Sequence, residues 1–137
     1  MFYKCLHFKI EELVPPETFT MFGEKAWWFI QPHAALMLDK LRDFYNKPIT
    51  VNNWLFGGDR KYSGFRPITC TIGGTYSQHR IGNAFDCLIL GVSAEQARQD
   101  ILNNKVHFKD ITCLESDVSW LHFDCRNTLQ RIMIVKP

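Results

Sequence analysis

The sequence predicts an α+β domain in which helices come first and a central, mostly antiparallel sheet follows. Apolar residues recur at helical spacing between residues 32 and 45, which is typical of an amphipathic helix. A capping box, Ser93-Ala94-Glu95-Gln96, marks the start of another helix. Short alternating or apolar segments, most of them in the second half of the chain, are typical of strands.

The first of these helices begins at Pro32, which suits a first helical turn, and Asn46 supplies a stop before Lys47-Pro48. The capping box predicts the second helix from Ala94 to about Asn103. The predicted strands cover residues 49–54, 85–90, 108–115, 120–126 and 131–135.

A dense aromatic group lies between residues 17 and 30. Its members are Phe19, Phe22, Trp27, Trp28 and Phe29. Such a group is either packing for the core and a lid, which we favour, or an aromatic wall for a ligand.

Length and composition indicate one domain over residues 1–137 that buries about two-thirds of its unfolded surface without a disulfide scaffold. The net charge of +2, with no block of like charge, gives no electrostatic support for nucleic-acid binding. Five cysteines, none in a C-x-x-C pair, are typical of reduced thiols in a protein made in a cytosol. We expect no signal peptide and no membrane-spanning segment.

The stretch that carries chemistry is residues 77–86, which reads S-x-H-x-x-G-x-A-x-D, followed some forty residues later by Trp120-Leu121-His122. His79, Asp86 and His122 offer two imidazoles and a carboxylate, the ligand set of a catalytic zinc site with one open position. Gly82 can supply the bend that His79 and Asp86 need to approach each other. Other histidines, His33 and His107, are interpreted as structural or exposed.

These two motifs resemble the signature of the zinc D-alanyl-D-alanine carboxypeptidase family, over roughly residues 36–135. That family includes D-Ala-D-Ala dipeptidases and phage L-alanyl-D-glutamate endolysins, and its fold is shared by the Hedgehog signalling domain. The resemblance implies a Hedgehog-like fold, zinc held by His79, Asp86 and His122, and a peptidoglycan peptide substrate. It also implies a substrate-binding role for Arg66, which lies in a similar S-G-x-R segment, although a structural role for Arg66 is equally compatible with the sequence. Ser77 is predicted to bind substrate as well.

The sequence differs from the family pattern at the position of the general base. Many relatives carry an acidic residue there, whereas this chain has Ser119. If residues 116–119 form a four-residue hairpin loop, Glu115 lies opposite Trp120 and shares a sheet face with His122 and Asp124. Glu115 is therefore the predicted base, with Asp117 as the alternative. Asp124 is either a fourth ligand or an acceptor for a ring N–H of a metal-bound histidine. Strand alternation turns Cys87 and Cys125 away from the metal.

The sequence thus favours a zinc peptidase, either a carboxypeptidase or an endopeptidase, that hydrolyses an amide bond in peptidoglycan stem peptides. A phage lysis or virion enzyme that other factors release to the wall, or a cytoplasmic bacterial dipeptidase, would fit. The alternatives are an inactive zinc- or peptidoglycan-binding module of the same fold, which Ser119 favours, and a structural phage protein with no bound metal.

Overall fold

The computed structural model describes all residues 1–137 and has an α+β architecture. Three α-helices, α1 (Pro16–Phe22), α2 (Pro32–Tyr45) and α3 (Ala94–Asn103), accompany one five-stranded sheet. The strands are β1 (Ile49–Thr50), β2 (Ala84–Ile89), β3 (Cys113–Glu115), β4 (Leu121–Asp124) and β5 (Met133–Val135). The predicted α+β class is confirmed.

The two helices predicted from the sequence begin and end where their end signals indicate. Pro32 is the first residue of α2, and Asn46 ends it in the left-handed conformation with φ of 49°. The Ser93 side chain accepts a hydrogen bond from the backbone N–H of Gln96, which caps α3. These local signals suffice because they satisfy backbone groups that the helix itself leaves unpaired.

The sheet has the strand order β1-β2-β4-β3-β5, and every neighbouring pair is antiparallel except β3 with β5, which is parallel. Phe85 lies opposite Phe123 in the β2–β4 pair, with ring centroids 5.8 Å apart, and both side chains are buried in the core. Because side chains alternate along a strand, Asp86 and His122 point to the other face. One face of β2 and β4 therefore builds the core while the other presents polar side chains.

Several predicted strands are shorter in the structure. Only Ile49–Thr50 pairs in the segment 49–54, and Trp54–Phe56 forms a short 3₁₀ helix instead. The strand predicted from residue 108 begins at Cys113, after turns that bury Phe108. Apolar alternation marks which residues are buried, but ladder pairing also requires a neighbouring strand.

The predicted register between β3 and β4 is wrong by two residues. Cys113 pairs with Asp124 rather than with His122, so continuing the ladder brings Glu115 opposite His122 instead of Trp120. The connection is longer than the assumed hairpin loop, covering residues 116–120, and Asp117 adopts a positive φ of 60° within it. A shift of two residues preserves the face of each side chain, so Glu115 still lies on the polar face.

The aromatic group of residues 17–30 serves mainly as packing. Phe19, Phe22, Trp27 and Phe29 pack against the core cluster, and only Trp28 is strongly exposed. The ring of Phe29 stacks on Phe65 at 5.1 Å. No helix combines the length and apolar character that crossing a membrane requires.

Candidate metal centre

Three different elements bring His79, Asp86 and His122 together on the polar face of the sheet. His79 lies in a 3₁₀ helix, Gln78–Ile81, whereas Asp86 and His122 are paired residues of β2 and β4. One potential ligand atom from each residue lies within 4.8 Å of the others, and all three side chains are buried. The group could therefore hold a metal ion.

The turn between His79 and Asp86 depends on Gly82. This glycine follows the 3₁₀ helix with φ of 68°, in the left-handed region that favours glycine. A Cβ atom there would overlap the carbonyl group of Phe29. The predicted bend is confirmed, and the close approach of Phe29 adds a second reason for glycine.

Both histidines present one nitrogen to Asp86 and anchor the other on an oxygen acceptor. The Nδ1–H of His79 donates to the carbonyl of Gly64 at 2.8 Å, while its Nε2 lies 3.3 Å from Asp86 Oδ1. His122 has the opposite orientation, with Nδ1 2.8 Å from Asp86 Oδ1 and Nε2–H donating to Asp124 Oδ2 at 3.0 Å. The inward-facing atoms are thus His79 Nε2, His122 Nδ1 and Asp86 Oδ1.

This arrangement fits a transition metal through the chemistry of its donors. Metal-binding histidines usually donate their outer N–H to a carboxylate or carbonyl group, which fixes the tautomer and aims the other nitrogen at the metal. Gly64 and Asp124 provide these two acceptors here. Two imidazoles and one carboxylate are donors that several divalent transition metals accept.

Asp124 is itself held by an arginine that the sequence reasoning missed. Arg126 donates from Nε to Oδ1 at 2.8 Å and from its terminal nitrogen to Oδ2 at 2.6 Å, and its backbone N–H also reaches Oδ1. Asp124 is fully buried. Arg126 could have been found by alternation, since it follows His122 and Asp124 at intervals of two along the same segment.

Electrostatic coupling shifts the ionisation of this group strongly. Burial acts to lower the pKa of His122, but its hydrogen bonds with Asp124 and Asp86 outweigh burial and raise that pKa to about 9. Burial acts to raise the pKa of Asp86, but the bonds with His122 and His79 hold it well below its usual range. These contacts therefore favour the protonated form of the His122 ring, which lies between the carboxylates of Asp86 and Asp124.

Arg66 lies at the edge of the group and contacts Asp86 directly. Its Nε donates to the carbonyl of Tyr62 at 2.7 Å, and a terminal nitrogen lies 3.3 Å from Asp86 Oδ2. Burial lowers the pKa of Arg66, partly offset by Asp86. This contact with Asp86, which the sequence did not predict, gives Arg66 a role in orienting the carboxylate.

The inward side of the group opens into a cavity of about 460 Å³ that also includes Glu115, Arg66 and Ser77. Pairing places Val135, Glu115, His122 and Asp86 in one row across four adjacent strands, and all four line this cavity. Ser77 contributes as well to the helix start, where its hydroxyl accepts from the N–H of His79 at 3.3 Å.

Other candidates lie outside the group. His33 pairs with Asp110 on the surface, and the His107 ring lies 3.1 Å from the carbonyl of Lys40. Ser119 lines a different cavity, beside α3. All five cysteines are free thiols. Neither Cys87 nor Cys125 belongs to the group of side chains that could hold a metal ion.

No protein-family model, curated protein or solved structure gives a significant match to this chain. The functional interpretation therefore depends on the residues of the site.

Proposed function

We propose that this chain is a zinc-dependent peptidase that hydrolyses an amide bond in peptidoglycan stem peptides, with the fold of D-alanyl-D-alanine carboxypeptidases and the Hedgehog domain. The observation that carries the proposal is the convergence of His79, Asp86 and His122, with both outer imidazole nitrogens anchored, beside a cavity that contains a carboxylate and an arginine. The substrate class comes from the motif resemblance.

In this proposal His79 Nε2, Asp86 and His122 Nδ1 hold the zinc ion. Bound zinc supplies Lewis-acid chemistry, polarising the scissile carbonyl and making water a better nucleophile near neutral pH. Asp124 keeps the His122 ring in the tautomer whose Nδ1 faces inward, and Arg126 fixes Asp124. Arg66 holds the second oxygen of Asp86.

Glu115 is the proposed general base and acid. It lies beside His122 on the adjacent strand, on the same face, and lines the cavity. Its carboxylate would accept a proton from the attacking water and donate it to the leaving amine. Asp117, the alternative, is exposed in the connection and lies 3.7 Å from Lys136 Nζ, and it does not line the cavity.

Arg66 and Ser77 are the proposed substrate-binding residues, since both face the cavity. A guanidinium group holds a peptide carboxylate or carbonyl through a planar set of N–H donors. With Nε fixed on Tyr62 and one terminal nitrogen on Asp86, Arg66 has its orientation set before substrate arrives.

The second candidate function is an inactive zinc- or peptidoglycan-binding module. The observation that favours it is Ser119, which replaces the usual acidic residue and faces away from the cavity. Glu115 supplies a carboxylate in the cavity from another position, so the enzyme remains our preferred conclusion.

The decisive experiment combines metal analysis with digestion of muropeptides. We expect one zinc per chain, with much weaker binding by the His122→Ala protein. Wild-type protein should cleave at a D-amino-acid junction, detected by mass spectrometry. Glu115→Gln should keep zinc and fold but lose about a hundredfold or more of the rate, as expected for a general base.

The Asp117→Asn protein is the matched control and should retain activity. If Glu115→Gln stays active while Asp117→Asn does not, the base is Asp117. If zinc-loaded wild type leaves sacculi and defined stem peptides intact, the binding module replaces the enzyme.

A further inference from the structure

The connection between β3 and β4, residues 116–120, follows directly after Glu115 and therefore fixes the end of the strand that carries this carboxylate. Ser116, at its start, is tied to the sheet, since its N–H and its hydroxyl donate to the carbonyl of Val135 at 2.8 and 3.3 Å. Residues 117–120 form no backbone–backbone hydrogen bond. The Asp117 side chain pairs with the exposed Lys136 at 3.7 Å, on the surface. The backbone of the connection therefore depends on a side chain from elsewhere.

Arg98 of α3 supplies that side chain. Its Nη1 donates to the carbonyl of Glu115 at 3.2 Å and to the carbonyl of Val118 at 3.4 Å. The second of these is the one hydrogen bond that reaches the backbone of residues 117–120. Nε of Arg98 donates to Glu95, one helical turn earlier, at 2.9 Å, which sets the plane of the guanidinium group. Arg98 thus ties the last residue of β3 and the connection to α3.

The burial of Arg98 is unusual for a charged residue. It is 7% exposed, whereas Glu95, its one charged partner, is exposed. Removing a charge from water is costly unless its donors find acceptors, so arginine is rarely buried without them. Beside α3, Val118 and Ser119 line a cavity of about 380 Å³ together with Arg98. On this flank the hydrogen bonds from Arg98, rather than packing, restrain the connection.

Arg98 acts from outside the cavity that holds the metal group. Its helix packs on the core face of the sheet, where Ala97 and Ile101 belong to the hydrophobic core. Glu115 lines the metal cavity on the other face, whereas Arg98 does not. The backbone of residues 115–118 therefore links a core helix to a carboxylate on the polar face.

We infer that Arg98 is a positioning residue that holds the carboxylate of Glu115 at the metal group. The inference rests on the proposed function, in which Glu115 is the general base. Displacing a catalytic group by about 1 Å can cost about a hundredfold in rate. Because Arg98 does not line the cavity, its loss should slow the chemical step without weakening substrate binding.

The first test is a double-mutant cycle on muropeptide cleavage by the zinc-loaded full chain. Arg98→Met removes the donors but keeps an unbranched buried stem, and should lower kcat by about tenfold or more while KM changes by less than about twofold. In the Glu115→Gln background the same substitution should change the residual rate by less than about twofold, since no base is left to position. Equal losses in both backgrounds, or a loss expressed in KM, would overturn the inference.

Three matched variants separate positioning from stability. Arg98→Lys restores N–H donors near the two carbonyls and should recover part of kcat; no recovery would show that packing positions Glu115. Gln99→Ala removes a bond to Glu95 at 3.0 Å without touching the connection, and Ile101→Val disturbs the packing of α3 in the core. Both controls should keep kcat within about twofold. A loss in either that equals the loss in Arg98→Met would make the role of Arg98 merely structural.

A measurement without substrate tests the inference even if the wild type cleaves nothing, an outcome that would refute the proposed function alone. In cobalt(II)-loaded protein with carbon-13-labelled glutamate, paramagnetic relaxation of the Glu115 carboxyl carbon reports its distance from the metal, since it falls steeply with distance. The Glu115→Gln protein identifies the resonance. Arg98→Met should lower this relaxation rate by about threefold or more, and Gln99→Ala should leave it unchanged. Equal rates in wild type and Arg98→Met would overturn the inference.

Discussion

Replacing Asp124 with Asn tests whether its hydrogen bonds orient the His122 ring for metal binding. Asp124 is fully buried, and its two oxygens accept from the His122 ring, from two side-chain nitrogens of Arg126 and from one backbone N–H. Asparagine keeps the shape but offers a single acceptor oxygen. Its NH₂ group would therefore face either the His122 N–H or donors of Arg126.

The magnitude follows from those contacts. Loss of charge-assisted hydrogen bonds to Arg126 should lower the free energy of unfolding by about 1.5–3 kcal/mol. The His122 ring also loses the carboxylate that orients it and raises its basicity. Changing such a partner of a ligand typically costs about 10- to 100-fold in metal affinity.

The assay is a competitive zinc titration against a chromogenic chelator, with urea denaturation of the zinc-free protein to measure stability. Asp43→Asn is the control, because Asp43 pairs with the His7 ring at 2.7 Å on the surface. We expect it to change stability by less than about 0.5 kcal/mol and zinc affinity not at all. The reasoning is refuted if Asp124→Asn binds zinc within twofold of wild type while His122→Ala does not.

Three further predictions concern the arginine, the pH dependence and the turn. Arg66→Lys should lose most peptidase activity with little change in melting temperature, because an ammonium group cannot replace the guanidinium group that contacts Tyr62 and Asp86. Full activity with a much lower melting temperature would show that the role of Arg66 is structural. The pKa of His122 is about 9 in the folded protein, above its ordinary value of 6.5. In zinc-free protein the protonated His122 ring therefore stabilises the fold fully below pH 6.5, and this contribution to the free energy of unfolding is lost as pH rises through 9. Urea titrations of zinc-free protein should show this decline relative to His122→Gln, and a flat difference would contradict the assigned ion pairs. Gly82→Ala should lower the free energy of unfolding by at least about 2 kcal/mol and weaken zinc binding, because the new Cβ combines left-handed backbone strain with an overlap at Phe29. Gly91→Ala is the control, since Gly91 has a φ of 75° with open space around it and carries only the strain. Equal losses of stability in the two variants would show that the overlap at Phe29 is relieved.

The sequence by itself determined two of the three α-helices, α2 and α3, and the three residues that could hold a metal ion, but it did not predict α1. Pro32, Asn46 and Ser93 act through hydrogen bonds and backbone angles within a few residues, so α2 and α3 have the bounds that these residues indicate. The two histidine motifs likewise named the three side chains that converge. Alternation along the strands also placed Glu115 on the correct face, because its period is a local property.

The tertiary structure decided the register and the pairing of the strands. Glu115 lies beside His122 because the connection of residues 116–120 is longer than a tight hairpin; Arg98 of α3 holds that connection through the carbonyls of Glu115 and Val118. Strand lengths and the approach of His79 and His122 to Asp86 likewise depend on residues distant in sequence. Local spacing carries no information about such contacts, because they form only when separate elements pack and compete for the same neighbours.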